Sequence, residues 1–301
     1  MENIFLAALK NDTLTLKEYL KFGDVNITDD TNSSLLHYAA RGNALEVANL
    51  LLDNYINLNI VNSSGETPLF EAINRGELGF CKILCRYNAD TNVVNKFGQT
   101  VYFKAILKGR IDIIELIEDF LKIDYEFVNP DGENALFYAL KAYNTKLFFR
   151  LARLYPNLLK ARNYENVNLL MVALKYDNEE VINFLLDQFD NLYEADCFNN
   201  NIIFYAARFS SYLVMKKILE KKVIIEGKNK DGLNIFDLAS LNPNSTLVLL
   251  ENYNDSYTYC IYDVNSDSYI EAITSTSQSA PFGKSFTATQ LLAGFSVKYL
   301  P

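Results

Sequence analysis

Seven alanines recur in register along the chain: Ala39, Ala72, Ala105, Ala139, Ala173, Ala206 and Ala239. Successive ones lie 33, 33, 34, 34, 33 and 33 residues apart. Seven residues before each stands a glycine or an asparagine: Asn32, Gly65, Gly98, Gly132, Asn166, Asn199 and Gly232. These two residue types best tolerate a left-handed backbone in a tight turn. A period of this length marks one supersecondary unit stacked many times over, so a solenoid is expected. Solenoids present long binding surfaces, and few carry a catalytic cleft.

Three apolar ladders hold the same frame. Four residues after the turn come Leu36, Leu69, Tyr102, Leu136, Leu170, Ile203 and Phe236. Fifteen after it come Val47, Phe80, Ile113, Leu147, Val181, Val214 and Leu247, and nineteen after it Leu51, Leu84, Ile117, Leu151, Leu185 and Ile218. The unit from Gly65 shows how each piece works. Thr67 is expected to cap a first helix, and Pro68 suits its first turn, where no amide hydrogen is missed. Leu69 and Ala72 share a face. Gly76 ends the helix, and Phe80, Ile83 and Leu84 line one side of a second one.

Thr67-Pro68-Leu69-Phe70-Glu71-Ala72, with the trailing Asn88-Ala89-Asp90-Thr91-Asn92, resembles the ankyrin repeat. Leu36-His37-Tyr38-Ala39-Ala40-Arg41-Gly42 repeats the pattern, and Gly23-Asp24-Val25-Asn26 is similar to that family's hairpin ending. The resemblance covers about residues 2–251. It implies an all-α repeat solenoid, an ankyrin-like stack of helix pairs joined by hairpin loops. About eight units would start near residues 1, 32, 65, 98, 132, 166, 199 and 232. Thr-Pro survives only at Thr67-Pro68, and units from Asn166 onward lose the trailing Gly-Ala-Asp, which bears on their loop geometry. The shorter first unit, Ile4 to Asp30, reads as a cap whose Leu6, Leu16 and Leu20 cover the first apolar face. In the last unit Pro243 is expected in the turn between helices.

The register stops after Glu251. Residues 252–301 read as a C-terminal cap or tail, a small irregular or β extension. Tyr257 to Asp263 is rich in strand formers, Asn265 to Ser268 is turn-like, and Tyr269 to Ile273 suits a returning strand. A Ser/Thr-rich stretch, Thr274 to Thr289, precedes the apolar Leu291 to Leu300.

A net charge of -9 argues against generic nucleic-acid binding and a polybasic membrane contact. Cys81, Cys85, Cys197 and Cys260 form no metal-ligand framework, and the first two read as buried thiols on a helix face. Met1 to Leu20 lacks the features of a signal peptide, and no stretch is long enough for a membrane span. The expected location is the cytoplasm. His37 is the sole histidine, and the resemblance implies a hydrogen-bonding role for it within the repeat. No second histidine serves as base for a cysteine nucleophile. Gly283-Lys284-Ser285 ends like a phosphate loop but has Gln278 where the first glycine belongs. The chain is therefore read as not an enzyme, with no metal and no cofactor implied.

Nine or ten residues after the turn, six successive units carry a cation: Arg41, Arg75, Lys108, Lys141, Lys175 and Arg208. The resemblance implies that these slots line a concave binding surface, where a stripe of cations would recruit an acidic partner segment. Equally, the helix macrodipole favours cations at helix C-termini by roughly 0.3–1 kcal/mol each, without any partner. Tyr176 and Phe209 share these slots and are candidate aromatic anchors. The hairpin tips carry Phe97, Tyr164 and Phe198, either packed on adjacent loops or open to a partner. The expected function is a non-catalytic module binding a partner protein on its concave and tip surfaces, centred on units three to seven. Two alternatives stand beside it: an effector of an intracellular bacterium, exported into a host-cell cytoplasm and binding a host protein, and a small catalytic or modifying activity in residues 252–301. The sequence leaves the oligomeric state open.

Overall fold

The computed structural model describes residues 2–189, 191–252, 258–263, 268–274 and 295–299. The chain falls into two compact units, Met1–Leu158 and Leu159–Pro301. The first holds five helix pairs: α1 (Glu2–Leu9) with α2 (Thr13–Tyr19), α3 (Leu35–Arg41) with α4 (Leu45–Asp53), α5 (Pro68–Arg75) with α6 (Leu78–Arg86), α7 (Val101–Leu107) with α8 (Ile111–Phe120), and α9 (Ala135–Lys141) with α10 (Thr145–Leu154). Among its described residues the second holds three: α11 (Leu169–Lys175) with α12 (Glu179–Gln188), α13 (Ile202–Phe209) with α14 (Tyr212–Glu220), and α15 (Ile235–Ala239) with α16 (Pro243–Asn252). First helices pack on first helices, α1 on α3, α3 on α5, α5 on α7 and α7 on α9 in one unit, and α11 on α13 and α13 on α15 in the other. This is the all-α repeat solenoid that the period demands.

All seven ladder alanines are buried, and small side chains there let neighbouring first helices approach closely. The ladders four and nineteen residues after the turn are buried throughout, as is the ladder at fifteen through Val214. Every expected turn residue has a positive φ, from 59° at Asn32 to 82° at Gly132. The asparagines do more than bend. Asn32, Asn166 and Asn199 each donate a side-chain N–H to a carbonyl of the next hairpin, on Val61, Ala195 and Lys228.

The residue three before each turn is always Asp or Asn: Asp29, Asn62, Asn95, Asn129, Asn163, Asp196 and Asn229. Its side-chain oxygen accepts two backbone N–H groups, from the residues just before and just after the turn, as Asn129 does from Asp131 (2.9 Å) and Glu133 (2.8 Å). This Asx turn closes each hairpin. Hairpins then join by backbone bonds such as Lys96 N–H to Ser64 and Lys230 N–H to Phe198, both 2.9 Å.

Two residues after the turn the chain places Ser34, Thr67, Thr100, Asn134, Asn168, Asn201 and Asn234, each preceding the first residue of a helix. The asparagines accept a backbone N–H of the first turn, as N-caps do. Thr67 holds the position, but its buried hydroxyl has no partner, contrary to expectation. Leu6 is exposed, and Ile4, Phe5, Ala7 and Ala8 cover the first face instead, with Leu16 buried behind them. Pro243 is the first residue of α16 rather than part of the preceding turn, a place where its missing N–H costs nothing.

Five residues after the turn come His37, Phe70, Phe103, Phe137, Met171 and Phe204, all buried, and Asp237, half-buried, in the last repeat. His37 is the buried polar member. Its Nδ1 accepts the Ser34 backbone N–H at 3.0 Å, so Nε2 carries the proton and donates to the Glu66 carbonyl in the next hairpin at 2.9 Å. Burial lowers its pKa below the usual value of about 6.5. The unfolded chain thus binds more protons, and stability is lost as pH falls from about 6.5 through the lowered folded value. Urea midpoints between pH 7 and 5 are expected to fall for the wild type and to stay flatter for His37→Phe, which carries the residue of the neighbouring repeats.

In the C-terminal segment β1 (Thr258–Asp263) pairs antiparallel with β2 (Ser268–Thr274) and β3 (Phe295–Tyr299), in the order β2-β1-β3. β3 lies against α15 and α16. Gly283-Lys284-Ser285 and nearly all of the Ser/Thr-rich stretch lie outside the described residues.

Candidate protein-binding site

The six expected cations occupy two distinct slots. Arg41, Lys141, Lys175 and Arg208 stand nine residues after the turn, in the last turn of a first helix. Arg75 and Lys108 stand ten after it and are exposed. In the Met1–Leu158 unit the polar residues of the first slot are tied down, and the Gly98 repeat has an exposed leucine there, Leu107. Lys141 reaches back eight residues to Glu133 at 2.6 Å. Asn74, in the same slot, donates to Glu66 at 3.2 Å. Arg41 donates to Ser33 (3.0 Å) and, through its guanidinium, to Glu71 of the next repeat (2.6 and 2.9 Å), while lying 5.0 Å over the Tyr38 ring.

Lys175 and Arg208 differ. Both are exposed, and neither has a carboxylate within ion-pair distance among the described residues. The guanidinium of Arg208 lies 5.2 Å over the Phe209 ring. Both cations line a cavity of about 310 Å³ between α11, α13, α15 and their hairpins. Its apolar wall is Phe198, Phe204, Phe209, Leu233 and Leu238. Four expected site residues, Lys175, Arg208, Phe198 and Phe209, thus meet at one place.

On the polar wall, Asp196 is buried with its charge fully engaged. It accepts backbone N–H groups from Phe198 (2.9 Å) and Asn200 (2.8 Å), the Asn200 amide (3.1 Å) and the Tyr205 hydroxyl (2.9 Å). Burial, and then the bond to Asp196, push the Tyr205 phenol well above its ordinary pKa, so it stays a neutral donor. Glu165 and Asp231 reach the cavity from hairpin tips and are exposed.

The other expected residues stand apart. Tyr176 is half-buried at the C-cap of α11 and does not line the cavity. Phe97 and Tyr164 are exposed at their tips, 69% and 77%, rather than packed away. Phe204, Tyr205, Leu238 and Asp196 were not among the expected site residues. The signal for them was available: the acid in this repeat stands three residues before the turn, at Asp196, rather than one residue after it, as at Glu133.

Among the described residues no group of histidine, cysteine or carboxylate side chains has the makings of a metal site. Burial pushes the Cys81 and Cys85 thiols up to about 12, so both stay protonated and unreactive. No helix among the described residues is long and apolar enough to cross a membrane.

The family model for ankyrin repeats (three copies) matches residues 4–95 and, overlapping, 56–124. No curated protein matches the sequence. Among solved structures, the human ASB11 ankyrin repeat domain matches with a TM-score of 0.58 at 24% identity, covering 74% of this chain and 97% of that one. The chain has the fold of an ankyrin-repeat stack, and residues 4–124 match the ankyrin-repeat family model. Ankyrin repeats generally mediate protein–protein interaction, and the fold is typically non-catalytic.

Proposed function

We propose that this chain is a non-catalytic module that binds a partner protein through the cavity and hairpin tips of its Leu159–Pro301 unit. The observation that carries this is the convergence of two unpaired cations, Lys175 and Arg208, with Phe198 and Phe209 around one cavity of about 310 Å³. Aromatic and arginine side chains at a partly desolvated site are the usual anchors of protein interfaces. The charges set orientation and association rate. Arg41 and Lys141 are engaged within the fold, which leaves them a structural role. Cys81, Cys85 and Cys197 are free thiols, which suits a reducing compartment and supports action in the cytoplasm.

The test is affinity capture from lysate on three immobilised proteins: wild type, Lys175→Glu/Arg208→Glu, and Arg75→Glu/Lys108→Glu. The two variants have the same net charge. A partner held by the wild type and by the second variant but lost by the first is the expected result. Equal capture by all three would remove the cavity from the interface.

A further inference from the structure

We infer that this cavity receives a partner peptide in which an acidic residue adjoins a large apolar one: the carboxylate on Arg208 and Lys175, the apolar side chain on the wall of Phe204, Phe209 and Leu238. The inference rests on the protein-binding function proposed above and specifies its partner.

A comparison of equivalent positions carries it. The repeat from Gly132 contains Asn129, Glu133, Tyr138 and Lys141; the repeat from Asn199 contains, in the same four slots, Asp196, Asn200, Tyr205 and Arg208. Amide and acid have exchanged places. In the first repeat Asn129 bonds the Tyr138 hydroxyl at 3.2 Å, leaving Glu133 to neutralise Lys141. In the second the acid is spent on Tyr205 and the hairpin N–H groups. The slot that holds Glu133 in the first repeat then holds Asn200, which has no charge to offer Arg208. Arg41 shows the other way of engaging this cation, through Glu71 of the next repeat. The residue equivalent to Glu71 beside Arg208 is Leu238, a wall of the cavity. Both internal partners are therefore missing where the apolar pocket opens. Lys175 stands likewise, with Val167 in the slot of Glu133.

The volume sets the size of the guest. About 310 Å³ is at the small end of the roughly 300–1,000 Å³ typical of ligand pockets. It suits one large side chain with its neighbour, not a whole folded element. Charge sets the orientation. The cations stand at the C-terminal ends of α11 and α13, while Glu165 and Asp231 stand at the hairpin tips. The eight residues of α13 span roughly 12 Å. A guest carboxylate is attracted at one rim and repelled at the other, so the peptide has one favoured direction.

The test uses the full chain and a displayed library of random 12-residue peptides. The decisive variant is Asp196→Asn/Asn200→Glu, which returns the acid to its place in the Gly132 repeat and pairs Arg208 internally without changing net charge. Wild type is expected to enrich peptides with Asp or Glu next to Phe, Leu, Ile or Met. The swapped protein, its fold checked by circular dichroism, should bind the leading peptide at least about tenfold more weakly and lose the acid preference. Arg208→Gln should show the same loss, and it replaces the swap if the swap does not fold. Enriched peptides without acids, or equal affinity for wild type and both variants, would overturn the carboxylate site. That result would leave the protein-binding function standing, because lysate capture tests it separately. Failure to enrich any peptide overturns the proposal as well.

Discussion

Phe70→Ala is expected to lower the stability of the Met1–Leu158 unit by about 3–5 kcal/mol, the range for emptying a buried phenylalanine site. Phe70 is fully buried on α5, between α3 and α7. Two effects add. The ring's transfer to water is lost, and the first helices cannot close the void, because Ala39, Ala72 and Ala105 already hold them at close approach. In a stack of repeats stability is roughly a sum of unit and neighbour terms, so the damage concentrates at the two interfaces that Phe70 joins. A urea titration followed by circular dichroism should show a lower midpoint. Hydrogen exchange should show α3, α5 and α7 losing protection before α13 and α15. A loss under about 1 kcal/mol would mean that the slot repacks, and that the row from Phe70 to Phe204 is filling rather than framework.

The alanine ladder and the apolar ladders four, fifteen and nineteen residues after the turn were legible in the sequence because their signal is a period, and a period survives the loss of any single residue. Turn positions were legible for a related reason: a positive φ restricts the residue type sharply. The Asx turns had an equally regular signal, Asp or Asn three residues before every turn, yet they emerge only when the hairpin's hydrogen bonds are traced. Individual side chains were less legible. Thr67 sits at an N-cap without making the bond, and Leu6 falls on the wrong face of the short α1. The candidate site was the least legible part. Six cations on one apparent stripe divide into two slots, and their freedom depends on carboxylates eight residues back or thirty residues on. Charge type at one position says little; the location of its counter-charge decides whether it is available.

Gly42→Val is expected to cost about 1–3 kcal/mol or more, though Gly42 is exposed and would pass for a tolerant surface position. Its φ of -95° suits any residue, so conformation does not explain the glycine. Close approach does. A Cβ added there would lie 1.8 Å from the Leu9 carbonyl oxygen and 2.8 Å from its carbon. Both are backbone atoms of the first repeat, so no rotamer change relieves the clash, and α1 must move away from α3. The first helix pair covers an apolar face through Phe5, Ala8 and Leu16, and that face would be partly uncovered. Amide exchange in α1 and α2 should therefore quicken, with α13 and α15 unchanged. Gly109→Ala provides the contrast. Gly109 has a φ of 63° but nothing within 4 Å of an added Cβ, so only the left-handed backbone term of roughly 1–2 kcal/mol applies. Gly109→Asn should recover part of it, since asparagine accepts that conformation at Asn32, Asn166 and Asn199. No asparagine rescue is expected at Gly42, where the obstacle is a neighbouring backbone rather than a dihedral angle. If Gly42→Asn were instead as stable as the wild type, α1 and α3 would have room that the 1.8 Å approach denies.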